Sequence, residues 1–261
     1  MDKTLPNINP SAEVIKITSF IKRVLKEQEF RNVIIGVSGG VDSATCLSLL
    51  IQSLKPENIF IVHLHYFDSQ IKNIESILKQ ARIPKENIYN LSIRKPVDGF
   101  IKLLKIPKQV RNDNERVRLG NIMARVRMII LYDLAKKHNA LVCGTENKSE
   151  LQLGYFTRFG DEASDFEPIQ HLYKTQVYQL AKHLSVPQNI IDLPPTAGLW
   201  TGQTDESDFG FSYKEADNVL FLYFEKKKSL LEISKGFPNA KKIIDWADKN
   251  TFKHHLPYII K

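Results

Sequence analysis

One stretch dictates most of what this chain can become: Val33-Ile34-Ile35-Gly36-Val37-Ser38-Gly39-Gly40-Val41-Asp42-Ser43-Ala44, where a β-branched run breaks into a glycine turn and then into helix-forming residues. The apolar run is too short for an ordinary helix and rich in Val and Ile, so it reads as a buried strand. Gly39 and Gly40 permit positive φ and close backbone approach, which leaves N–H groups unpaired at the head of the next helix. Those donors, the positive end of the helix dipole and the hydroxyls of Ser38 and Ser43 form a cradle for a phosphate. The plainer alternative is an ordinary turn between strand and helix with Asp42 as a capping acid.

Two familiar phosphate loops are excluded. A Walker loop needs a lysine followed by Ser or Thr after its last glycine, whereas Gly40 is followed by Val41 and Asp42. A dinucleotide fingerprint needs G-x-G-x-x-G, which Gly36, Gly39 and Gly40 do not supply. An acid beside a polyphosphate makes sense when Mg2+ lies between them, because like charges otherwise repel. The Ser38-Gly39-Gly40-Val41-Asp42-Ser43 block resembles the pyrophosphate loop of ATP pyrophosphatases, which cleave ATP between its α and β phosphates to adenylate a substrate.

Strand and helix patterns alternate around this loop. Val14, Ile17, Ile21, Val24 and Leu25 lie at helical spacing within Ser11 to Gln28, with Ser11 and Glu13 as capping candidates. Helices are predicted over Ser43 to Leu54 and Ser69 to Ala81, and strands over Ile59 to Leu64, Ile88 to Leu91 and Ala140 to Cys143. The alternation predicts an α/β fold, a doubly wound parallel sheet flanked by helices. Arg94 to Leu119, with Pro96, Pro107 and a charged run, reads as an irregular connection. A helix then runs from Gly120 to about His138 and places Asn121 and Arg125 on one face. Arg125 has the donor fork to hold a phosphate or carboxylate, or is simply a surface arginine.

At 261 residues and 43% apolar, the chain can bury a full core. No apolar run is long enough to span a bilayer and Met1 to Pro10 is polar, so no membrane association and cytoplasmic residence are the expectations. Cys46 and Cys143 sit in apolar contexts and read as buried thiols. The formal charge of +8 suits nucleic acid or small polyanions, and does not choose between them. The Lys226-Lys227-Lys228 run reads as a solvated helix end.

Further blocks make the likeness specific. Asn121-Ile122-Met123-Ala124-Arg125, Gly144-Thr145-Glu146-Asn147-Lys148-Ser149-Glu150, Gly154 to Asp161, Lys174-Thr175 and Pro195-Thr196-Ala197 follow the loop in order. Together they resemble the ammonia-dependent NAD synthetases over most of Val33 to Tyr213. That resemblance implies a five-stranded sheet of adenine nucleotide alpha hydrolase type within one 261-residue domain, its core at about 30–185 and a helical C-terminal part at about 212–261. It implies a ligase that amidates nicotinic acid adenine dinucleotide (deamido-NAD) with ammonia and ATP. An acyl-adenylate intermediate, a homodimer with the dinucleotide across its interface, and no nucleic-acid partner also follow from it.

By position, Gly36, Ser38, Gly39, Gly40, Asp42, Ser43, Thr145, Lys174 and Thr196 would hold ATP, and Asp42 and Glu150 the Mg2+. Asn121, Arg125, Arg158, Asp165 and Lys253 would contact deamido-NAD. Lys174 would offset charge in catalysis, and Asp161, on a lid spanning Tyr155 to Phe166, would stabilise incoming ammonium. Two departures stand out. Leu64 to Gln70 is shorter than the family's adenine-contacting loop, and Phe252 stands where the family often has histidine. The rivals are a tRNA-modifying ATP pyrophosphatase and a nucleotide-binding module without catalysis.

Overall fold

A computed structural model describes residues 4–67, 75–106, 113–200 and 202–255. Asn9, rather than Ser11, opens helix α1 (Pro10–Glu27): its side-chain oxygen accepts the Ala12 N–H at 3.2 Å, and Pro10 fills the first turn, where no N–H is needed. Strand β1 (Asn32–Gly36) leads into α2 (Val41–Ser53), and β2 (Ile59–His65) precedes α3 (Glu75–Ala81). From β3 (Ile88–Ser92) the chain passes through α4 (Arg94–Leu103) and α5 (Asp113–His138) to β4 (Ala140–Cys143). Every strand pairing is parallel, in the order β3-β2-β1-β4.

Alternation along the strands builds two cores, one on each face of the sheet. Val33, Ile35, Ile59 and Ile61 pack with Ile17 and Ile21 of α1, Leu47 and Leu50 of α2, and Ile77 of α3. Ile34, Phe60, Val62 and Val142 face the opposite way, onto Val97 of α4 and Met123, Val126 and Leu134 of α5. Both cysteines are buried and free.

Two sequence expectations need correction. The sheet has four strands among the described residues, not five: beside β4 there is a single parallel bridge from Cys143 to Phe166. Pairing stops there because Pro168 has no N–H to donate, while the Asp165 carboxylate takes the Val142 N–H at 2.7 Å. The segment expected to be irregular, Arg94 to Leu119, is largely helical. Pro96 lies in the first turn of α4, where a proline forfeits no helical bond, and Val97 anchors that helix in the core. Stretches 68–74 and 107–112, including the expected start of the helix at Ser69, lie outside the described residues.

The C-terminal part adds α6 (Lys148–Leu153), α7 (Lys174–His183), α8 (Gln188–Ile191), α9 (Asp205–Phe209), α10 (Tyr213–Leu220), α11 (Leu230–Ser234) and α12 (Ala240–Asn250). Helix α7 joins the α1 and α2 face of the sheet through Val177 and Leu180. The later helices share a third core of Leu153, Tyr173, Phe209, Tyr213, Leu220 and Ile243. Among the described residues no helix is long and apolar enough to cross a membrane.

The sheet order carries the functional consequence. After β1 the chain moves outward to β2 and β3, then returns to the other side of β1 for β4. The crevice beyond the carboxyl ends of β1 and β4 is therefore a topological switch point, where open parallel sheets bind their ligands. The loop after Gly36 and the turn after Cys143 both empty into it.

Candidate active site

The loop after β1 is built as its residues dictate. Gly39 has a φ of 88°, a left-handed conformation that side chains other than glycine's adopt at a cost, and Gly40 caps α2 without a side-chain bond of its own. The first-turn amides of α2 thus have no cap from the Gly40 side chain, the arrangement that favours an anion. Around this turn the Ser38 and Ser43 hydroxyls lie 3.2 Å apart, the Gly40 N–H donates to Ser38 Oγ at 3.3 Å, and Ser43 Oγ donates to the Gly40 carbonyl at 3.1 Å.

The switch point brings three charged groups together. Lys174, at the start of α7 with its side chain 3% exposed, donates from Nζ to Asp42 Oδ2 at 2.6 Å and to Glu150 Oε1 at 3.2 Å. The Asn147 amide donates to the other Asp42 oxygen at 3.0 Å, while Asn147 and Glu150 cap α6 reciprocally. Burial alone would depress the Lys174 ammonium, but the Asp42 and Glu150 carboxylates beside it hold it above the ordinary lysine range. Burial pushes the Glu150 carboxyl up, against the pull of Lys174 and together with repulsion from Asp42 and Asp205.

The acid pair suits a divalent cation on its own chemistry. Asp42 and Glu150 already converge on one positive centre, the lysine ammonium. Among the described residues no group of three or more His, Cys, Asp or Glu side chains is placed to hold a metal, so the protein would supply two carboxylates. Mg2+ commonly accepts that number and completes its octahedron with phosphate and water oxygens.

Ser149 and Thr175, from the quoted blocks, and Asp217, not singled out in the sequence, support the lysine. Its backbone N–H donates to Ser149 Oγ at 2.8 Å, and Ser149 Oγ donates to the buried Asp217 at 2.5 Å. The other Asp217 oxygen accepts from Thr175 N–H and Oγ1 at 2.8 and 2.7 Å. The start of α7 is thereby tied to α6 and α10. No sequence signal marks Asp217, which lies far along the chain on an amphipathic helix.

A second acidic cluster lies behind β4. Glu167 accepts the Glu146 N–H at 3.0 Å and the Ser164 hydroxyl at 2.8 Å, and its carboxylate fills the space where a Cβ on Gly144 would stand. Gln170 donates to Glu146 Oε2 at 2.9 Å. Burial, then repulsion from Glu167, pushes Glu146 up to about 9, and burial pushes Glu167 up to about 8.

The remaining expected residues make contacts of their own. Arg125 on α5 donates from Nε and Nη2 to the Arg158 carbonyl at 3.3 and 3.1 Å, and Arg158 in turn donates to the His255 carbonyl, so the two arginines are neighbours. Asn121 Oδ1 accepts the Thr157 hydroxyl at 2.8 Å. Asp161 is turned onto its own loop, accepting the Thr157 N–H at 2.9 Å. Lys253 donates to the Gly154 and Phe156 carbonyls at 2.6 and 3.0 Å, clamping the base of the same loop. Asp165 is held by the Val142 amide. Thr196 is exposed and accepts the Gly198 N–H, and Thr145 is half-buried just beyond β4.

Comparison with known proteins agrees with this geometry. The family model described as NAD synthase matches residues 13–257. An NH(3)-dependent NAD(+) synthetase of Thermoplasma acidophilum is 38% identical over 95% of this chain and 97% of its own. One of Chlorobium phaeovibrioides is 39% identical over 94% of this chain and 87% of its own. Among solved structures, the NMN synthetase of Francisella tularensis superposes with a TM-score of 0.81 at 31% identity, covering 97% of this chain and 99% of that one. The NH3-dependent NAD synthetase of Campylobacter jejuni, in complex with nitrate, gives 0.78 at 32% identity, covering 97% and 100%.

Proposed function

The chain belongs to the NAD synthase family, and from that premise we propose how its residues divide the work of a ligase that forms a C–N bond on deamido-NAD with ATP and ammonia. The observation that carries the assignment is the buried Lys174 ammonium shared by an acid after β1 and an acid after β4.

In this reading the ATP phosphates lie against the loop from Gly36 to Ser43, with Thr145 and Thr196 as further contacts. The substrate carboxylate, steered by Arg125 and Arg158 with Asn121, Asp165 and Lys253 around it, attacks the α-phosphorus, and pyrophosphate leaves with the electrons of the broken P–O bond. Asp42 and Glu150 would hold a Mg2+, which would supply charge neutralisation on the phosphates. Lys174 remains protonated throughout and offsets the charge that develops on the transferred phosphoryl group. Ammonia then adds to the acyl carbon and AMP departs, the new amide nitrogen shedding a proton. Asp161, on the loop from Tyr155 to Phe166, would stabilise the incoming ammonium. Catalysis is positioning and electrostatics, with no covalent bond to the protein.

A homodimer completes the reading. Ile129, one helical turn after Arg125 on α5, is an exposed apolar residue that a second copy packing there would cover.

The test is direct. Incubation with ATP, Mg2+, ammonium and deamido-NAD should yield NAD and pyrophosphate. Neither product, with tRNA-dependent ATP cleavage instead, would overturn the proposal. The likeness to a structure named for a mononucleotide product adds one arm, nicotinic acid mononucleotide in place of deamido-NAD, and a higher kcat/KM there would reassign the acceptor.

A further inference from the structure

Asp205 is 3% exposed, yet among the described residues it forms no ion pair. Its carboxylate is met by two phenols: Tyr213 Oη donates to Oδ2 at 2.9 Å, and Tyr155 Oη lies 3.3 Å from Oδ1, its one proton shared with the shorter contact to Asp208. The Tyr213 ring so held lies with its centroid 5.1 Å from Lys174 Nζ. Tyr155 opens the loop expected to act as a lid, and it also donates to Asp208 at 2.8 Å. The Asp205 N–H bonds to the Pro195 carbonyl at 2.9 Å, at the turn that carries Thr196.

A buried carboxylate matched only by neutral donors is costly, and an apolar or amide side chain would serve stability better. Burial pushes the Asp205 carboxyl up and Lys174 draws it back, so the two groups act on each other across the Tyr213 ring. We infer that Asp205 is a positioning residue, which fixes Tyr213 against the Lys174 ammonium and joins that lysine to the Tyr155 loop and the Pro195 turn. The inference rests on the role proposed for Lys174. A phenol that donates to a carboxylate carries more electron density on its ring, which strengthens its hold on the cation.

The experiment is a double-mutant cycle in the NAD-forming assay, with Lys174→Met alongside. Asp205→Ala and Tyr213→Leu are each expected to lower kcat on the order of 10- to 100-fold, the usual effect of losing an outer partner, with the KM for ATP within about twofold. The double variant should be no worse than the poorer single one. Losses that multiply, or single variants with kcat unchanged, overturn the inference. Should Asp205→Ala not fold, Asp205→Asn with Tyr213→Phe forms the cycle, read in the same way. If Lys174→Met itself keeps full activity, the reading of the lysine fails; if it is inactive while Asp205 and Tyr213 act independently, only this inference fails.

Discussion

The Lys174 ammonium donates to Asp42 at 2.6 Å across the switch point, joining two positions 132 residues apart. A buried charge stripped of its partner is destabilising by about 3–5 kcal/mol, whereas loss of charge at a transition state lowers rate. Lys174→Met, which leaves Asp42 and Glu150 without their cation, and Asp42→Ala should therefore both lower the melting temperature, and Lys174→Met should also lower kcat on the order of 100-fold or more. Calorimetry and steady-state rates on both variants check the split; an Asp42→Ala protein as stable as wild type would contradict the pairing.

If Glu150 is one of two carboxylates on the Mg2+, its removal should appear in the metal dependence. Glu150→Gln keeps one oxygen, enough for Lys174 or for the Asn147 N–H but not for both, and carries no charge. The Mg2+ concentration for half-maximal rate is expected to rise on the order of tenfold, with part of the activity recovered at high Mg2+. Titration of rate against free Mg2+ at fixed ATP measures this, and an unshifted curve removes Glu150 from the metal.

The Arg125 side chain donates to the Arg158 carbonyl, so the two proposed acceptor contacts are neighbours. A guanidinium that binds only the acceptor should leave ATP untouched. Arg125→Ala is expected to raise the KM for deamido-NAD on the order of 10-fold with little change in the KM for ATP. Arg125→Lys should recover only part of the loss, since an ammonium lacks the paired donors. Equal changes in both KM values would place Arg125 elsewhere.

These sites differ in how far the sequence foretold them. The Val33 to Ser43 stretch was legible because a short β-branched run, two glycines and a helix start are local signals, and the sheet edge that collects Asp42 and Glu150 follows from strand alternation alone. Helix α4 was hidden by Pro96, read as a breaker although a proline in a first turn breaks nothing. The fifth strand failed because pairing at Phe166 is cut short by Pro168. Asp205, Asp217 and the Glu146 and Glu167 pair left no local trace, since each acquires its role from residues brought near only by the completed fold.

That last pair sets a pH dependence of stability. Folded Glu146 keeps its proton to about 9 and folded Glu167 to about 8, against 4.5 for either group in its ordinary state. Between these limits the native chain binds more protons than the unfolded one, so the contribution to stability is complete below about 4.5, falls as pH rises, and is lost above about 9. Glu146→Gln mimics the neutral acid and keeps an acceptor for Gln170. The variant should match wild type at pH 4 and exceed it at pH 9 by on the order of 1 kcal/mol or more, as judged from urea unfolding at the two values. A wild-type protein equally stable at both, or a variant that loses stability at pH 9, would mean that Glu146 is ionised in the fold, with a cation near Oε1, which accepts no hydrogen bond among the described residues.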